Sequence, residues 1–163
     1  REKTEELVAA IRAKVPGLAL RTTLIAGYPS ETEADFQEMY DFVERTRFDR
    51  LGIFTYSHEE NTHAYQFTDD VEVAIKKERA DAIMELQSGI SYELNQLKVG
   101  KELKVLFDRA EGDYFIGRSE FDSPEVDNEV LVKKAEGYVR LGDFSRVLIT
   151  SADHYDLYGN LVI

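Results

Sequence analysis

The spacing of hydrophobic and polar positions divides this chain into three stretches. Thr4 to Val15 places Leu7, Val8, Ile11 and Val15 on one helical face, and Pro16-Gly17 ends that helix. Leu18 to Ala26 is a continuous, mostly apolar run, the pattern of a strand covered on both faces. Ser30 with Glu33 offers a capping box, and the helix after it carries Phe36, Met39, Tyr40 and Val43 at helical spacing. Arg50 to Tyr56 reads as a second buried strand. Each strand is tied to a helix, so residues 1–70 are expected to be βα units of a parallel sheet. Two parallel strands cannot bury both faces by themselves. Further strands upstream, or a partner, must cover them.

Asn61 to Asp70 is a polar connector. The spacing then predicts a long amphipathic helix over Val71–Leu97, with Ile75, Ile83, Leu86, Ile90, Leu94 and Leu97 on one stripe and Gly89 as the one candidate break. Its charges do not repeat in heptads, which favours a linker helix packed across the sheet over a coiled coil. After Val99-Gly100 the period drops from about 3.6 residues to about 2. Glu102–Asp108, Tyr114–Ser119, Val130–Lys133, Arg146–Ser151 and Leu157–Ile163 read as short strands separated by turn signals such as Glu111-Gly112-Asp113 and Gly142-Asp143. The expected fold class is α/β plus all-β. Residues 1–70 form the α/β part, 71–97 a linker helix, and 98–163 a five-stranded barrel of oligonucleotide-binding type.

Composition narrows the chemistry. The 163 residues are 43% hydrophobic, which suits a globular protein, and no apolar run is long enough to span a bilayer. Arg1–Thr4 does not begin a signal peptide, and a cytoplasmic protein without membrane attachment is expected. The absence of cysteine excludes disulfides, thiolate zinc sites and an iron–sulfur cluster held by this chain. His58 and His63 share a loop, but no third ligand stands at a spacing that would complete a metal site. The net charge of −12 is spread over both parts, with 11 basic against 19 acidic residues up to Leu97 and 9 against 13 beyond it. Neither part has the basic footprint that phosphate binding requires.

The junction Ile25-Ala26-Gly27 into Tyr28-Pro29-Ser30-Glu31 puts a glycine between a strand and a helix, which suits either a ligand at the strand end or a tight turn. LRTTLIAGYPSETEADF, followed by FDRLGIFTYS, resembles strands five and six of radical S-adenosylmethionine enzymes, and within them the methylthiotransferases. In that family Ile-x-Gly of the fifth strand lies against the adenine, which implies Ile25 and Gly27 here. The sixth strand adds contacts from within Gly52–Tyr56, and the resemblance implies a cofactor set of Arg21, Thr23, Ile25, Gly27, Phe54 and Tyr56. Arg21 either reaches the cofactor carboxylate or pairs with a carboxylate on a neighbouring strand.

From Leu97 onward the chain is similar to the TRAM barrel appended to these enzymes. The similarity rests on GRSEFDSPEVDNEVLV at residues 117–132, and on Gly142-Asp143-Phe144 with Val147. The family's cluster-binding cysteines have no counterpart here. The resemblance therefore implies the last third or so of a partial (β/α) barrel enzyme, whose S-adenosylmethionine and two 4Fe–4S clusters belong to the full-length parent. No cofactor is expected on this portion, and it would contribute no catalytic residue.

The loop Tyr56-Ser57-His58-Glu59-Glu60-Asn61-Thr62 is acidic, where transfer-RNA-modifying members tend to be basic. His58 and His63 stand where the family usually has proline. The segments Phe121–Asp127 and Tyr155–Gly159 likewise resemble the branch that methylthiolates an aspartate β-carbon in protein twelve of the small ribosomal subunit. The implied partner is a basic ribosomal protein, with transfer RNA the alternative. Glu120, Asp122, Glu125, Asp127 and Glu129 either dock that partner or solvate a barrel rim. Self-association through the incomplete sheet edge is a further expectation.

Overall fold

The computed structural model describes residues 2–124 and 127–162, and Glu125 lies outside them. The chain divides into two compact units, one up to residue 90 and one from residue 91 onward.

The first unit begins with α1 (Glu2–Lys14), β1 (Arg21–Ala26), α2 (Glu33–Thr46) and β2 (Arg50–Thr55). The strands pair in parallel, with Arg21 opposite Arg50 and Ile25 opposite Phe54. A short 3-10 turn, His63–Gln66, precedes α3 (Val73–Gln96), an unbroken helix that runs through Gly89 and into the second unit.

Two expectations change here, and a third is met in part. The two strands by themselves are covered on one face only, as expected of two parallel strands standing alone. Along β1 exposed and covered residues alternate, and Ile25 and Phe54 are 51% and 67% exposed. The reason is that α2 and α3 supply cover for one face, with Val43, Phe48, Leu51 and Ile83 buried, while the other face has no strand or helix over it among the described residues of the unit. The capping box is Thr32 with Asp35, not Ser30 with Glu33. Ser30 adopts a left-handed conformation (φ 68°) and donates its N–H to Asp70, so the helix starts later. Finally, the buried stripe of α3 is partly polar. Lys76, Arg79, Ala80, Ile83, Gln87, Ile90 and Asn95 are buried, whereas Ile75 and Leu97 are exposed.

The second unit is a closed barrel with strand order β3-β4-β5-β7-β6, formed by β3 (Glu102–Glu111), β4 (Tyr114–Ser119), β5 (Val130–Lys133), β6 (Phe144–Ala152) and β7 (Leu157–Leu161). A second 3-10 turn, Lys134–Glu136, follows β5. All pairs are antiparallel except β5 with β7. The core consists of Val105, Phe107, Val130, Val132, Val139, Val147, Ile149 and Leu157. Register shifts after Phe107 and after Ile149 bend β3 and β6 so that so short a barrel can close.

Candidate functional site

The parallel register and the two-residue side-chain period put Arg21, Thr23 and Ile25 of β1 in one row, beside Arg50, Gly52 and Phe54 of β2. This row is the open face of the sheet. Four of the six residues expected at the cofactor, Arg21, Thr23, Ile25 and Phe54, therefore share one surface. Ile25 and Phe54 are directly opposed on it and both exposed, so together they form an apolar patch. The other two, Gly27 and Tyr56, follow at the carboxyl ends of the strands, where parallel α/β folds receive ligands.

Those strand ends are fixed by charges that the sequence reading did not single out. Ala26 C=O accepts the Tyr56 N–H at 2.8 Å. The Gly27 N–H donates to Glu31 Oε1 at 2.9 Å, and the same oxygen accepts Arg79 Nη1 at 2.7 Å. Arg79 also reaches Glu33 at 3.1 Å and is 7% exposed. One turn earlier on α3, Lys76 is 3% exposed and donates to both oxygens of Asp69, at 2.6 and 2.7 Å. Its Nζ lies 5.0 Å from the Tyr56 ring centroid, and that ring meets Tyr28 edge-on at 5.4 Å. Burial, and after it the Asp69 charge, pushes the Tyr56 phenol above its ordinary pKa. The one available signal was the Lys76–Arg79 spacing of three, which places two cations on one helical face.

In the acidic loop His58 stacks on Tyr65 at 4.5 Å and His63 lies 5.4 Å from Phe67. No group of three metal-ligating side chains occurs among the described residues. With no cysteine in the chain, the residues present do not fit an iron–sulfur cluster. No helix among the described residues is long and apolar enough to cross a membrane.

On the barrel the expected docking residues have different surroundings. Glu120 is exposed. Asp122 is buried and accepts the Ser119 hydroxyl. Asp127 accepts the Ser123 N–H at 2.7 Å, and Glu129 holds Arg109 through two bonds of 2.7 and 3.0 Å. Glu129, and then Glu111, raise the Arg109 pKa above its usual value. A groove of about 390 Å³ lies nearby, lined by Tyr114, Leu131, Lys133, Thr150, Tyr158 and Asn160 among others, with one cation in it.

An open parallel sheet with an apolar patch at its strand ends, followed in one chain by a closed five-stranded barrel, defines a two-part α/β-plus-barrel protein. Residues 99–162 match the TRAM domain family. Over 162 residues the chain is 59% identical to the ribosomal protein uS12 methylthiotransferase RimO of Cytophaga hutchinsonii, an alignment covering 99% of this chain and 37% of the relative. The proteins of the same name from Christiangramia forsetii and Flavobacterium johnsoniae are 56% and 55% identical, covering 97% and 96% of this chain and 35% and 36% of theirs. The chain thus spans just over a third of the length of these relatives (35–37%) and matches their C-terminal part.

Proposed function

We propose that this chain provides the adenosine-facing strands and the substrate-docking barrel of a cytoplasmic methylthiotransferase acting on an aspartate β-carbon of ribosomal protein uS12. The observation that carries this reading is the similarity to uS12 methylthiotransferases over both units of the chain. In such an enzyme S-adenosylmethionine at one cluster supplies the hydrogen-abstracting radical and a second cluster the methylthio group. Both clusters belong to residues outside this cysteine-free chain. The present residues bind and orient. Ile25 and Phe54 take the adenine between the strand ends, Gly27 makes room for the Lys76 stem beside them, and Tyr56 walls the pocket. Arg21 faces the carboxylate end of the ligand, with Thr23 between the two.

The barrel takes the substrate. A ribosomal protein is rich in Lys and Arg, and the net charge of −12 draws it in. Glu120 contributes direct contacts, with Glu125 in the same segment, while Glu129 acts by holding Arg109, which engages both of its oxygens. Asp122 and Asp127 act by holding the loop, because their oxygens are engaged with Ser119 and Ser123. Transfer RNA is the less favoured partner, since the barrel groove carries a single lysine where phosphate recognition needs several cations. The open sheet face would be completed by further strands of the same enzyme, and a second copy of the chain could pair with its edge in their absence.

Titration of the whole chain with purified uS12 and with bulk transfer RNA, at low and moderate salt, tests the reading. Binding to uS12 that weakens with salt, and is lost in Glu120→Lys with Glu125→Lys, is expected. Binding to the RNA alone would move the chain to the transfer-RNA branch.

A further inference from the structure

Resting on the adenosine-site reading above, we propose that Lys76 is a positioning residue for that site. Its ammonium, clamped by Asp69, fixes the Tyr56 ring, and its methylene stem fills the space beside Gly27.

A lysine at 3% exposure is an expensive group to bury. Buried ion pairs can often be replaced by apolar residues without loss of stability, so what this one supplies is geometry. The two oxygens of Asp69 hold Nζ at 2.6 and 2.7 Å, and the Tyr56 carbonyl is a third acceptor at 3.4 Å. The ammonium therefore ties Asp69 of the connector, and both the carbonyl and the ring of Tyr56 just past β2, to a single point on α3. The stem acts on the other strand. A Cβ at position 27 would lie 2.2 Å from Lys76 Cγ, so the Lys76 stem closes one side of Gly27 while Glu31 holds its N–H on the other. Gly27 consequently keeps its φ of +74°, a conformation that suits glycine. Together Gly27, Tyr56 and Tyr28 form one rigid wall at the end of the row that carries Ile25 and Phe54. A flat apolar ring lying on those two residues would meet that wall edge-on, and the ligand class it fits is the adenosine part of a nucleoside sulfonium.

The test uses the whole 163-residue chain and 5′-methylthioadenosine, which carries the adenosine and the sulfur without the amino-acid end. Binding is read by NMR at Ile25, Phe54 and the tyrosine rings. Lys76→Met keeps the stem and drops the charge. It is expected to lower the thermal midpoint, because Asp69 loses its partner, while leaving the chain folded at the temperature of the titration, to abolish the Tyr28–Tyr56 ring contact in ligand-free spectra, and to weaken binding about tenfold or more. Lys76→Arg should restore both the ring contact and the binding. Unchanged binding in Lys76→Met would overturn the positioning role and leave the adenosine site standing. If arginine fails to rescue, or if the loss of binding tracks a loss of folded protein in both variants, the role is structural only. No ligand shift at Ile25 or Phe54 in the unmodified chain would overturn the adenosine reading and this inference with it, even if the ring contact responds as expected.

Discussion

Gly27 couples backbone conformation to a buried charge. It takes a positive φ, and any side chain there would run into the Lys76 stem at both Cγ (2.2 Å) and Cβ (3.0 Å). Cγ is not the free end of the side chain, because Nζ is held by Asp69. Gly27→Ala is therefore expected to destabilise the first unit by about 1–3 kcal/mol through overpacking, with backbone strain adding to that. Urea unfolding measures the total. In a Lys76→Ala background the overpacking part should vanish and the backbone part remain, so the double-mutant cycle should show coupling of the two sites. Additive losses would mean that the stem moves aside freely. The glycine was legible in the sequence as a strand-to-helix junction. The reason it must be glycine was not, because Lys76 lies 49 positions further along the chain and only the fold brings it there.

At the scale of elements, α2 shows how a helix start is chosen. Thr32 and Asp35 satisfy each other's backbone N–H groups at 3.2 and 2.9 Å, and the Thr32 hydroxyl donates to the same Asp35 carboxylate at 2.6 Å. These bonds from Thr32 hold the Asp35 carboxyl below its ordinary pKa of 3.8. A carboxylate whose pKa is depressed by folding stabilises the protein above its unfolded pKa, and that contribution is lost as pH falls through the lower folded value. The urea midpoint of the first unit should accordingly fall as pH drops below about 4, and Asp35→Asn should flatten that part of the profile. Thr32→Ala should cost about 1 kcal/mol at neutral pH. An acid profile unaltered by Asp35→Asn would remove the cap from the account. Pattern reading found α2 with its Phe36, Met39, Tyr40 and Val43 stripe, but placed the cap two residues early, because the engagement of Ser30 by Asp70 is a tertiary contact. It misjudged α3 for a related reason. The rule that apolar residues face inward missed Lys76, Arg79, Gln87 and Asn95, each of which is buried and donates to a carbonyl: Tyr56, Glu31, Phe48 and Asp153 respectively.

At the scale of the whole molecule, the two units meet the problem of covering a sheet in opposite ways. The first has no cover on one face among the described residues, and four of the expected site residues, Arg21, Thr23, Ile25 and Phe54, lie there. The second closes on itself, so its sheet needs no outside cover. Closure of so small a barrel leaves little room inside, and two glycines provide it. A Cβ on Gly159 would lie 2.5 Å from both the Leu148 carbonyl oxygen and Val147 Cγ1, and one on Gly117 would lie 2.4 Å from the Leu106 carbonyl oxygen. Gly159 is opposed by Val132 on β5 and by Ile149 on β6, both buried, so a small residue faces larger ones across the pairing. Because the obstructing atoms include backbone of the adjacent strand, the barrel cannot give way by rotating a side chain. Gly159→Ala should therefore destabilise the barrel by at least about 1–3 kcal/mol. Hydrogen exchange resolves where that loss falls: amides of β6 and β7 should exchange faster, while those of α2 and β2 keep their protection. Equal loss in both units would mean that the chain unfolds as one cooperative body, with α3 transmitting the defect. Loss confined to the barrel would show that the sheet of the first unit holds its shape without help from barrel stability.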